Sequence, residues 1–517
     1  MKLADTYDAY DLVVVGGGIT GAGILREAVR SGLRTLLVER ADFAWGTSSR
    51  SSKLVHGGLR YLKEGKVFLT MASVSERCRL IADAPGLVEP LGFLWPSYRG
   101  ESPGRLALGL GLFVYDLMAA KRQHKRLDAS SFLKTAPHVN REKLLGGFAF
   151  SDAQVDDARL VLRLIFEAES RGGHALSYTE AKAILRNNNR EVTGVALRDV
   201  ETGIEKEIAT RAVVNATGFT AESLHPSPVQ GLHLRPLRGS HIVFPFHRLP
   251  LGQAVSFMHP ADHRPIFAIP WEGAVMVGTT DLDHEGDPRA EPVISPSEAV
   301  YLLEGARKMF PGLELSEKDV LATWSGVRPV LSSGHKAPSK ESREHVVWTD
   351  KGLVTVTGGK LTTFRLLALD ALKAAAPFMT RLVGFRTKEP VFAPPPTAPE
   401  NARSLDPLSL RRLFGRYGAG ALDLMAAAGA ADLERIPGSN TLFAELPHAA
   451  KNENIRHLTD LLLRRVRLGF TLAGGGEEHL PRIRELCAPV LAWDDARWEA
   501  EIELYKATWK TAHSAPW

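Results

Sequence analysis

The strongest constraint on the fold of this chain is a glycine turn at residues 16–21. The apolar run Leu12-Val13-Val14-Val15 leads directly into Gly16-Gly17-Gly18-Ile19-Thr20-Gly21. In a GxGxxG turn between a strand and a helix, the first glycine permits the tight turn and the second lets the backbone approach a pyrophosphate. The third lets the helix pack closely on the strand. The helix N-terminus then offers free N–H groups and its positive dipole end to the phosphates. The pattern predicts a Rossmann-type dinucleotide-binding unit.

A second strand and an acidic residue support this interpretation. Thr35-Leu36-Leu37-Val38 reads as a strand and is followed by Glu39. An acid about 20 residues beyond the glycine turn is expected to bind the ribose hydroxyls of the dinucleotide. The turn alone would suit NAD and FAD equally, so the choice between them depends on the rest of the chain.

Three later segments favour FAD. Residues 46–61 are rich in glycine and hydroxyl side chains, which can wrap a second phosphate or a flavin ring. Residues 213–218 read as a strand entering a small-residue turn, and the strand at 353–356 leads into Gly358-Gly359-Lys360. A helix starting there would stabilise negative charge on a reduced flavin. The predicted cofactor ligands are Gly16, Gly18, Gly21, Glu39, Thr47, Ser48, Ser51, Thr217, Gly218, Gly359, Lys360 and Thr362.

Composition excludes several classes of protein. The chain has 517 residues, of which 44% are hydrophobic and 24% charged, as expected for a globular protein of two or three domains. Its net charge of +5 favours an anionic ligand or a lipid surface, and nucleic acid would require more clustered basic residues. Only Cys78 and Cys487 occur, so no disulfide framework or metal site is expected and a reducing compartment is indicated. The first residues lack the pattern of a signal peptide.

The pattern of elements predicts an α/β fold, in which a Rossmann-type FAD-binding domain carries an inserted sheet-rich substrate domain and is followed by a C-terminal helical domain. Short β-rich runs alternate with helical stretches up to a proline-rich segment that cannot continue a helix or a central strand. The expected bounds are 8–90, 140–225 and 320–390 for the FAD-binding domain, 91–139 and 226–319 for the substrate or cap domain, 391–404 for the linker, and 405–517 for the helical domain.

The C-terminal domain shows helical periodicity but no recognisable chemistry. Ile455, Leu458, Leu462 and Val466 recur at helical spacing. The neighbouring arginines 464, 465 and 467 are expected on other faces of that helix.

An apolar segment, Leu106 to Tyr115, precedes the basic cluster Lys121-Arg122-Gln123-His124-Lys125-Arg126. It is too short to span a bilayer, which takes about 20 apolar residues. It could rest in the interface of an anionic membrane, or it could be a buried helix with a solvated basic end. Both interpretations stay open at this point.

Several motifs together resemble one flavoprotein family. They are the loop Ser51 to Tyr61, the turn Gly358 to Thr363, and the segments Val155 to Leu160, Gly239 to Val243, Ile269 to Trp271, Gly278 to Asp281, Ser325 to Pro329 and Ile455 to His457. In this order they resemble the FAD-dependent glycerol-3-phosphate dehydrogenases of the aerobic respiratory type, within the D-amino-acid-oxidase-like flavoproteins. The resemblance runs from the first strand to the last helices.

The resemblance implies oxidation of sn-glycerol 3-phosphate to dihydroxyacetone phosphate, with a hydride passed from C2 to FAD and the electrons passed on to a quinone. It also implies a peripheral location on the cytoplasmic side of the inner membrane, or otherwise a cytoplasmic one, and a homodimer stays open as an assembly. A phosphate dianion is best held by guanidinium forks, for which Arg60 and Arg328 are candidates. Lys360 could hold the phosphate or a flavin carbonyl.

The proton of the substrate hydroxyl needs a base, and histidine titrates near the working pH. His56 and His241 both lie in motifs of the resemblance, and the sequence does not rank them. Tyr61 could orient the hydroxyl group.

The sequence also leaves alternative functions open. They are a flavin amine or amino-acid oxidase of the same fold, whose substrate would carry a carboxylate, and a glycerol-3-phosphate oxidase that uses oxygen. A non-catalytic dinucleotide-binding regulator is disfavoured, because it would need neither a base nor cations around the ring.

Overall fold

The computed structural model describes residues 1–58, 65–101, 104–118, 124–225, 233–332, 345–379, 384, 389–400, 402 and 405–517. Within these ranges the strands are β1 (Leu12–Val15), β2 (Thr35–Val38), β3 (Val88–Tyr98), β4 (Lys125–Leu127), β5 (Leu144–Val155), β6 (His174–Leu176), β7 (Thr179–Arg186), β8 (Val192–Asp199), β9 (Glu205–Ala209), β10 (Val213–Asn215), β11 (Leu234–Pro245), β12 (Ala254–Met258), β13 (Pro265–Trp271), β14 (Ala274–Gly278), β15 (Leu282–Asp283), β16 (Ala322–Leu331), β17 (Val346–Asp350) and β18 (Leu353–Thr357).

The α-helices of the same ranges are α1 (Ile19–Arg30), α2 (Val67–Asp83), α3 (Arg105–Met118), α4 (Ala129–Thr135), α5 (Asp157–Glu169), α6 (Pro296–Met309), α7 (Phe364–Ala375), α8 (Pro407–Tyr417), α9 (Gly420–Ala427), α10 (Glu445–Asn452), α11 (Leu458–Asp460), α12 (Leu468–Thr471), α13 (Leu480–Leu491) and α14 (Asp495–Ala512).

The first sheet is the expected Rossmann-type sheet. Among the described residues it has the order β17-β18-β10-β1-β2-β6, parallel throughout except for the antiparallel edge strand β17. Its central strands β1, β2, β10 and β18 are buried along their whole length, because helices α1, α5 and α7 pack on one face of the sheet. The other face packs against a small antiparallel sheet, β7-β8-β9. The predicted α/β class is confirmed.

The second sheet is largely antiparallel and has the order β15-β11-β14-β13-β12-β3-β5-β4, with β16 pairing to β11. Residues alternate between its two faces, as Ile242 and Val243 do on β11. One face packs on α4 and α6, and the other packs on α3 and the C-terminal helices. Strands β5 and β16 belong to this sheet, so the ranges 140–225 and 320–390, expected for the FAD-binding domain, each begin with a strand of the substrate domain.

The segment expected as a linker is fixed to the first domain. Val391 and Phe392 are buried in the core of the Rossmann-type sheet, and the Val391 N–H donates to the Asp83 carboxylate at 2.7 Å. Apolar residues at the start of the segment therefore anchor it, while the prolines that follow are exposed or half-buried and lie in neither a helix nor a strand.

The C-terminal domain is helical, as predicted, and it buries three neighbouring arginines. After α11 the chain forms a π-helical turn, Leu461–Arg465, and Arg467 adopts a left-handed φ of 64°. These irregularities turn both apolar and cationic side chains inward. Arg464, Arg465 and Arg467 are all buried, and they pair with acidic residues of the FAD-binding domain that the sequence pattern does not reveal.

Candidate active site

A cavity of about 1210 Å³ lies between the two large sheets. On one side it is lined at the carboxyl ends of β1, β2, β10 and β18, and on the other by side chains of β3, β5, β13 and β16. Ligands of open parallel sheets bind at the carboxyl ends of the strands. Ligand pockets commonly measure about 300–1,000 Å³, so this cavity has room for a large cofactor together with a small substrate.

The glycine turn forms one end of the cavity. Gly16 has a φ of 116°, and a Cβ atom there would lie 2.5 Å from the Ala216 carbonyl oxygen. A Cβ on Gly21 would lie 1.8 Å from the Gly16 carbonyl oxygen, so this glycine permits the contact between α1 and β1. Gly18 is the N-cap of α1 and, like Gly16, lines the cavity. Exposed backbone N–H groups at a helix N-terminus suit the pyrophosphate of a dinucleotide.

Glu39 lies beside this turn at the end of β2. Its carboxylate accepts hydrogen bonds from the Gly17 N–H at 2.7 Å and from the Ala41 N–H at 3.0 Å. Burial raises the pKa of this carboxyl, and the two N–H donors oppose that effect. The carboxylate is thus fixed against the cavity at the position predicted for ribose binding. We call this the Glu39 end of the cavity.

The hydroxyl-rich loop lines the cavity and contains a 3₁₀ turn, Thr47–Ser49. Ser48 Oγ accepts from the Ile19 N–H at 2.9 Å and so joins the loop to the start of α1. Thr47 donates to the Val327 carbonyl. Ser51 lines the cavity, but both its N–H and its hydroxyl donate to Asp157, at 2.9 and 2.7 Å. Ser51 therefore fixes the loop as well as facing the cofactor site.

Two turns from distant parts of the chain close the site. Thr217 and Gly218 follow β10, and the Thr217 hydroxyl donates to the Asn215 side chain at 2.7 Å. Gly359, Lys360 and Thr362 follow β18, where a 3₁₀ turn leads into α7. The helix expected at this point of the sequence is present. All five residues line the cavity.

The glycine turn, the fixed carboxylate and the hydroxyl loop fit an adenine dinucleotide with a large ring system. They would hold its pyrophosphate, its ribose and its ring respectively, and they lie along one continuous cavity. A Cβ atom at position 16 or 21 would collide with the backbone of Ala216 or of Gly16, so a side chain there would displace the turn that would hold the pyrophosphate.

Two guanidinium groups face the far part of the cavity. Arg328 donates from Nη1 to Asp281 Oδ1 at 2.9 Å and from Nη2 to Thr279 Oγ1 at 3.1 Å. Arg264 pairs with the other oxygen of Asp281 at 3.3 Å. Both guanidinium groups pair with the same carboxylate and line the cavity, an arrangement suited to binding an anion. Arg264 is a site residue that the sequence did not reveal, because only the pairing of β13 with its neighbours brings it beside Arg328.

The two candidate histidines occupy different positions. His56 lines the cavity. His241 lies behind the wall, with 1% of its surface exposed, and stacks on Trp324 with ring centroids 5.1 Å apart. Its Nε2 is hydrogen-bonded to Ser52 Oγ at 2.8 Å, and Ser52 lines the cavity. Burial lowers the pKa of His241 well below the usual value, and Arg328 and Lys53 lower it further.

The structure thus brings most of the predicted residues to one cavity. Gly21 and His241 lie just behind its wall, and Arg60 and Tyr61 fall outside the described residues. The predicted residues that line the cavity are Gly16, Gly18, Glu39, Thr47, Ser48, Ser51, His56, Thr217, Gly218, Arg328, Gly359, Lys360 and Thr362. Ser52 belongs to the loop motif Ser51 to Tyr61, but its role becomes visible only through its contact with His241.

Fold and site together define a flavin-dependent oxidoreductase. A family model described as FAD dependent oxidoreductase matches residues 11–365, which include both sheets and every predicted site residue. A second model, described as the C-terminal domain of alpha-glycerophosphate oxidase, matches residues 368–498. The predicted cofactor, FAD, is confirmed.

Individual relatives narrow the class to one family. The chain is 33% identical to the aerobic glycerol-3-phosphate dehydrogenase of Staphylococcus haemolyticus over 89% of this chain and 86% of that protein. It is 31% identical to that of Staphylococcus aureus over 96% and 93% of the two chains. The glycerol-3-phosphate dehydrogenase of Bacillus halodurans, solved with FAD, superposes with a TM-score of 0.78 at 28% identity and covers 98% of this chain and 95% of its own. The chain belongs to the aerobic glycerol-3-phosphate dehydrogenase family.

Proposed function

We propose that this protein oxidises sn-glycerol 3-phosphate to dihydroxyacetone phosphate, with FAD as hydride acceptor and a quinone as the final acceptor. The observation that carries the proposal is the pair Arg328 and Arg264, which share Asp281 and face the same cavity as the flavin-site residues and His56. Bound FAD supplies a ring that can accept a hydride from an alcohol carbon.

The arginine pair accounts for preference for a phosphate. Asp281 is 2% exposed and accepts a hydrogen bond from Arg328 Nη1, so it fixes the planar fork of the guanidinium at the cavity wall. Such a fork matches the oxygens of a phosphate dianion. A carboxylate substrate, as in an amino-acid oxidase, would bring one negative charge where a phosphate dianion brings two. It would therefore match the pair of arginines less well.

His56 is proposed as the base that takes the hydroxyl proton, since it is the candidate histidine that borders the cavity. His241 is neutral near pH 7 because burial, and then Arg328 and Lys53, lower its pKa. It acts through the Ser52 hydroxyl, which it holds at the cavity wall and which can orient the substrate hydroxyl. Histidine is suited to this proton transfer as a residue type, because the ordinary pKa of an imidazole, about 6.5, lies near neutral pH.

Anaerobic mixing tests the substrate. Glycerol 3-phosphate should bleach the yellow flavin at low concentrations, whereas a panel of amino acids should leave the colour unchanged. Bleaching by an amino acid alone would favour the oxidase alternative. With substrate present, turnover that requires a quinone analogue and is slow in oxygen alone would support the dehydrogenase over an oxygen-using oxidase.

We further propose that α3 docks on the membrane surface and admits the quinone. Its inner face is buried through Leu108 and Leu112, while Leu106 is 90% exposed and Leu110 is 66% exposed. The exposed row continues with Phe113 and Leu117 and, on α2, with Phe68 and Met71. Of these residues, Leu110 also lines the flavin cavity, so the exposed apolar face borders its opening.

Helix α3 has features of both interpretations that the sequence left open, a buried helix and a helix resting in a membrane interface. One of its faces is buried in the core and the other is exposed. Within the described ranges, no helix has the length and apolarity required to cross a bilayer. Lys125 and Arg126, in the edge strand β4, are exposed and would meet anionic headgroups; Lys121 and Arg122 lie outside the described residues. This arrangement supports peripheral attachment, proposed here for the cytoplasmic face of the inner membrane. A homodimer covering the same face would show a doubled mass in solution and no binding to liposomes.

A further inference from the structure

The C-terminal domain inserts three buried arginines into the FAD-binding domain from a single short segment. Arg464 and Arg465 end the π-helical turn, and Arg467 follows in a left-handed conformation. Their side chains are 4%, 0% and 1% exposed. Charged side chains are rarely buried to this extent unless they are paired, so their partners indicate what the segment does.

At the Glu39 end of the cavity, the partner is Asp42. Arg465 donates to the two carboxylate oxygens of Asp42 at 2.5 and 2.8 Å, and Arg464 donates to the same carboxylate. Asp42 lies in the loop whose Ala41 N–H holds the Glu39 carboxylate and whose Ala44 N–H donates to the Gly17 carbonyl at 3.0 Å. Arg465 is thus one side chain removed from both the ribose acid and the glycine turn.

The same loop is held a second time through Tyr178. The Tyr178 N–H donates to the Ala41 carbonyl at 2.8 Å, and the Tyr178 hydroxyl donates to Asp460 at 2.7 Å. Arg464 donates to the same Asp460 oxygen at 2.6 Å. The C-terminal domain therefore fixes the loop after Glu39 from two sides.

At the other end of the cavity, the partners belong to the loop that carries Ser52. Arg467 Nη2 donates to Asp157 Oδ1 and to the Ser49 carbonyl, both at 2.8 Å. Asp157 also accepts from the N–H and hydroxyl of Ser51 and from the Lys53 ammonium, at 2.7 to 3.0 Å. The two residues that flank Ser52 are thus tied to one carboxylate, and Arg467 is one of the cations that hold that carboxylate.

We propose that Arg465 and Arg467 are positioning residues, through which the C-terminal domain sets the geometry of the two ends of the FAD site independently. Arg465 acts through Asp42 on the Glu39 end, and Arg467 acts through Asp157 on the loop of Ser52. The proposal rests on the FAD site and is independent of which alcohol is oxidised.

Methionine substitutions separate the two effects in the full-length holoenzyme. Removing the arginine of a buried ion pair leaves its carboxylate partner, Asp42 or Asp157, with less positive charge around it. The loop that contains or contacts that carboxylate should therefore shift locally. Arg465→Met should speed FAD release about tenfold, the equivalent of one charge-assisted hydrogen bond, with little change in kcat at saturating FAD. Arg467→Met should lower kcat about 10- to 100-fold and shift the flavin absorption band, with a smaller effect on FAD release.

FAD release is followed by the recovery of flavin fluorescence on dilution, in the absence of substrate. Arg435→Met is the matched control, because Arg435 forms an exposed pair with Asp406 at 2.8 Å in the same domain and should leave release, spectrum and kcat unchanged. Arg465→Lys and Arg467→Lys keep the charge but lose the planar fork of donors. Each should therefore show a weaker form of the effect of the methionine variant at the same position.

The lysine variants also serve if a methionine variant fails to fold. The proposal is overturned if the buried-arginine variants lower only the melting temperature, while FAD release, flavin spectrum and kcat match those of Arg435→Met. It is equally overturned if both positions give the same combination of effects, because a general loosening of the domain would then explain them. Neither outcome depends on glycerol 3-phosphate being the substrate, since FAD release is measured without it.

Discussion

The absence of a side chain at Gly239 determines where the Arg328 guanidinium can lie. A Cβ atom at this position would come within 2.3 Å of Arg328 Nη2 and 2.7 Å of Thr279 Oγ1. The atoms in the way form the end of a flexible side chain, so the guanidinium would move while the sheet stays intact. We expect Gly239→Ala to raise KM for glycerol 3-phosphate about 10- to 100-fold, by loss of one charge-assisted contact to the phosphate, with little change in melting temperature.

Steady-state kinetics with saturating acceptor would measure this effect. Gly312→Ala is the control, because a Cβ at Gly312 would meet no atom within 4 Å. An unchanged KM in Gly239→Ala would show that Arg328 does not hold the phosphate.

Buried His241 makes the stability of the protein depend on pH. The fold lowers the pKa of its imidazole, chiefly by burial, so below pH about 6.5, the ordinary histidine pKa, the unfolded chain binds more protons than the folded one. Stability contributed by the neutral ring is present above that pH and is lost as the pH falls. We expect the melting temperature of His241→Gln to decline less steeply than that of the wild type between pH 7.5 and pH 5. Exposed His247→Gln should follow the wild-type curve, and equal slopes in all three proteins would contradict the assignment.

Residues whose role is local could be predicted from the sequence, and those whose role depends on long-range pairing could not. Gly16, Gly18 and Glu39 belong to one strand-turn-helix-strand unit, so their spacing alone defines their positions. Arg264 reaches Arg328 through strand pairing between segments more than 60 residues apart, and no local pattern marks it. His241 was found by its motif, but only the tertiary structure shows that it faces Ser52 and not the cavity.

At the scale of elements, the contact between α1 and β1 depends on Gly21. A Cβ there would lie 1.8 Å from the Gly16 carbonyl oxygen, a backbone atom that cannot move without moving the turn. We expect Gly21→Ala to destabilise the fold by about 1–3 kcal/mol through overpacking and to yield protein purified without yellow colour. Gly420→Ala, at the start of α9, is the control because its Cβ would make only an ordinary contact of 3.6 Å with His448. Normal flavin content in Gly21→Ala would show that the turn tolerates the displacement.

Helix α3 is the element proposed to meet the membrane. Leu106 and Phe113 are exposed and lie outside the cavity lining, so replacing both with serine changes the docking face without changing the flavin site. Burying each such side chain in lipid contributes about 1.5–3 kcal/mol, so we expect binding to anionic liposomes to fall at least about tenfold. Flavin reduction by substrate in solution should be unaffected.

Leu408→Ser is the matched control for this surface, because Leu408 is 75% exposed on α8 of the C-terminal domain. Cosedimentation with liposomes would measure both variants. If the α3 variant binds as the wild type does, the exposed face has another role.

Element types were easier to predict than their partners. The apolar spacing of Leu458 and Leu462 correctly indicated a helical segment with a buried face. It did not reveal the π-helical turn, which rotates Arg464 and Arg465 away from the positions of a regular helix and towards Asp42. A buried arginine has the same sequence signature as a solvated one until its acidic partner, here more than 400 residues away, is in place.

At the scale of the whole molecule, the C-terminal domain is joined to both of the other predicted domains. One hydrophobic cluster joins residues of the nine-stranded sheet, such as Trp324, to Leu462, Trp498 and Tyr505 of the C-terminal domain. The buried arginines of the same domain pair with the FAD-binding domain. Separating the domains would expose both apolar surface and unpaired charge, so neither part is expected to unfold alone.

We therefore expect a single cooperative thermal transition, in which far-ultraviolet circular dichroism, tryptophan fluorescence and flavin fluorescence change together. Because FAD binds only the folded chain, FAD at about 100 times its Kd should stabilise the protein by about 2.7 kcal/mol and shift all three signals equally. Signals from Trp498 and Trp509, which lie in the C-terminal helix α14, should follow the flavin although neither residue lines the cofactor cavity. If the C-terminal helices instead melted at the same temperature with and without FAD, the C-terminal domain would be thermodynamically separate. Its buried arginines would then not couple its stability to that of the FAD-binding domain.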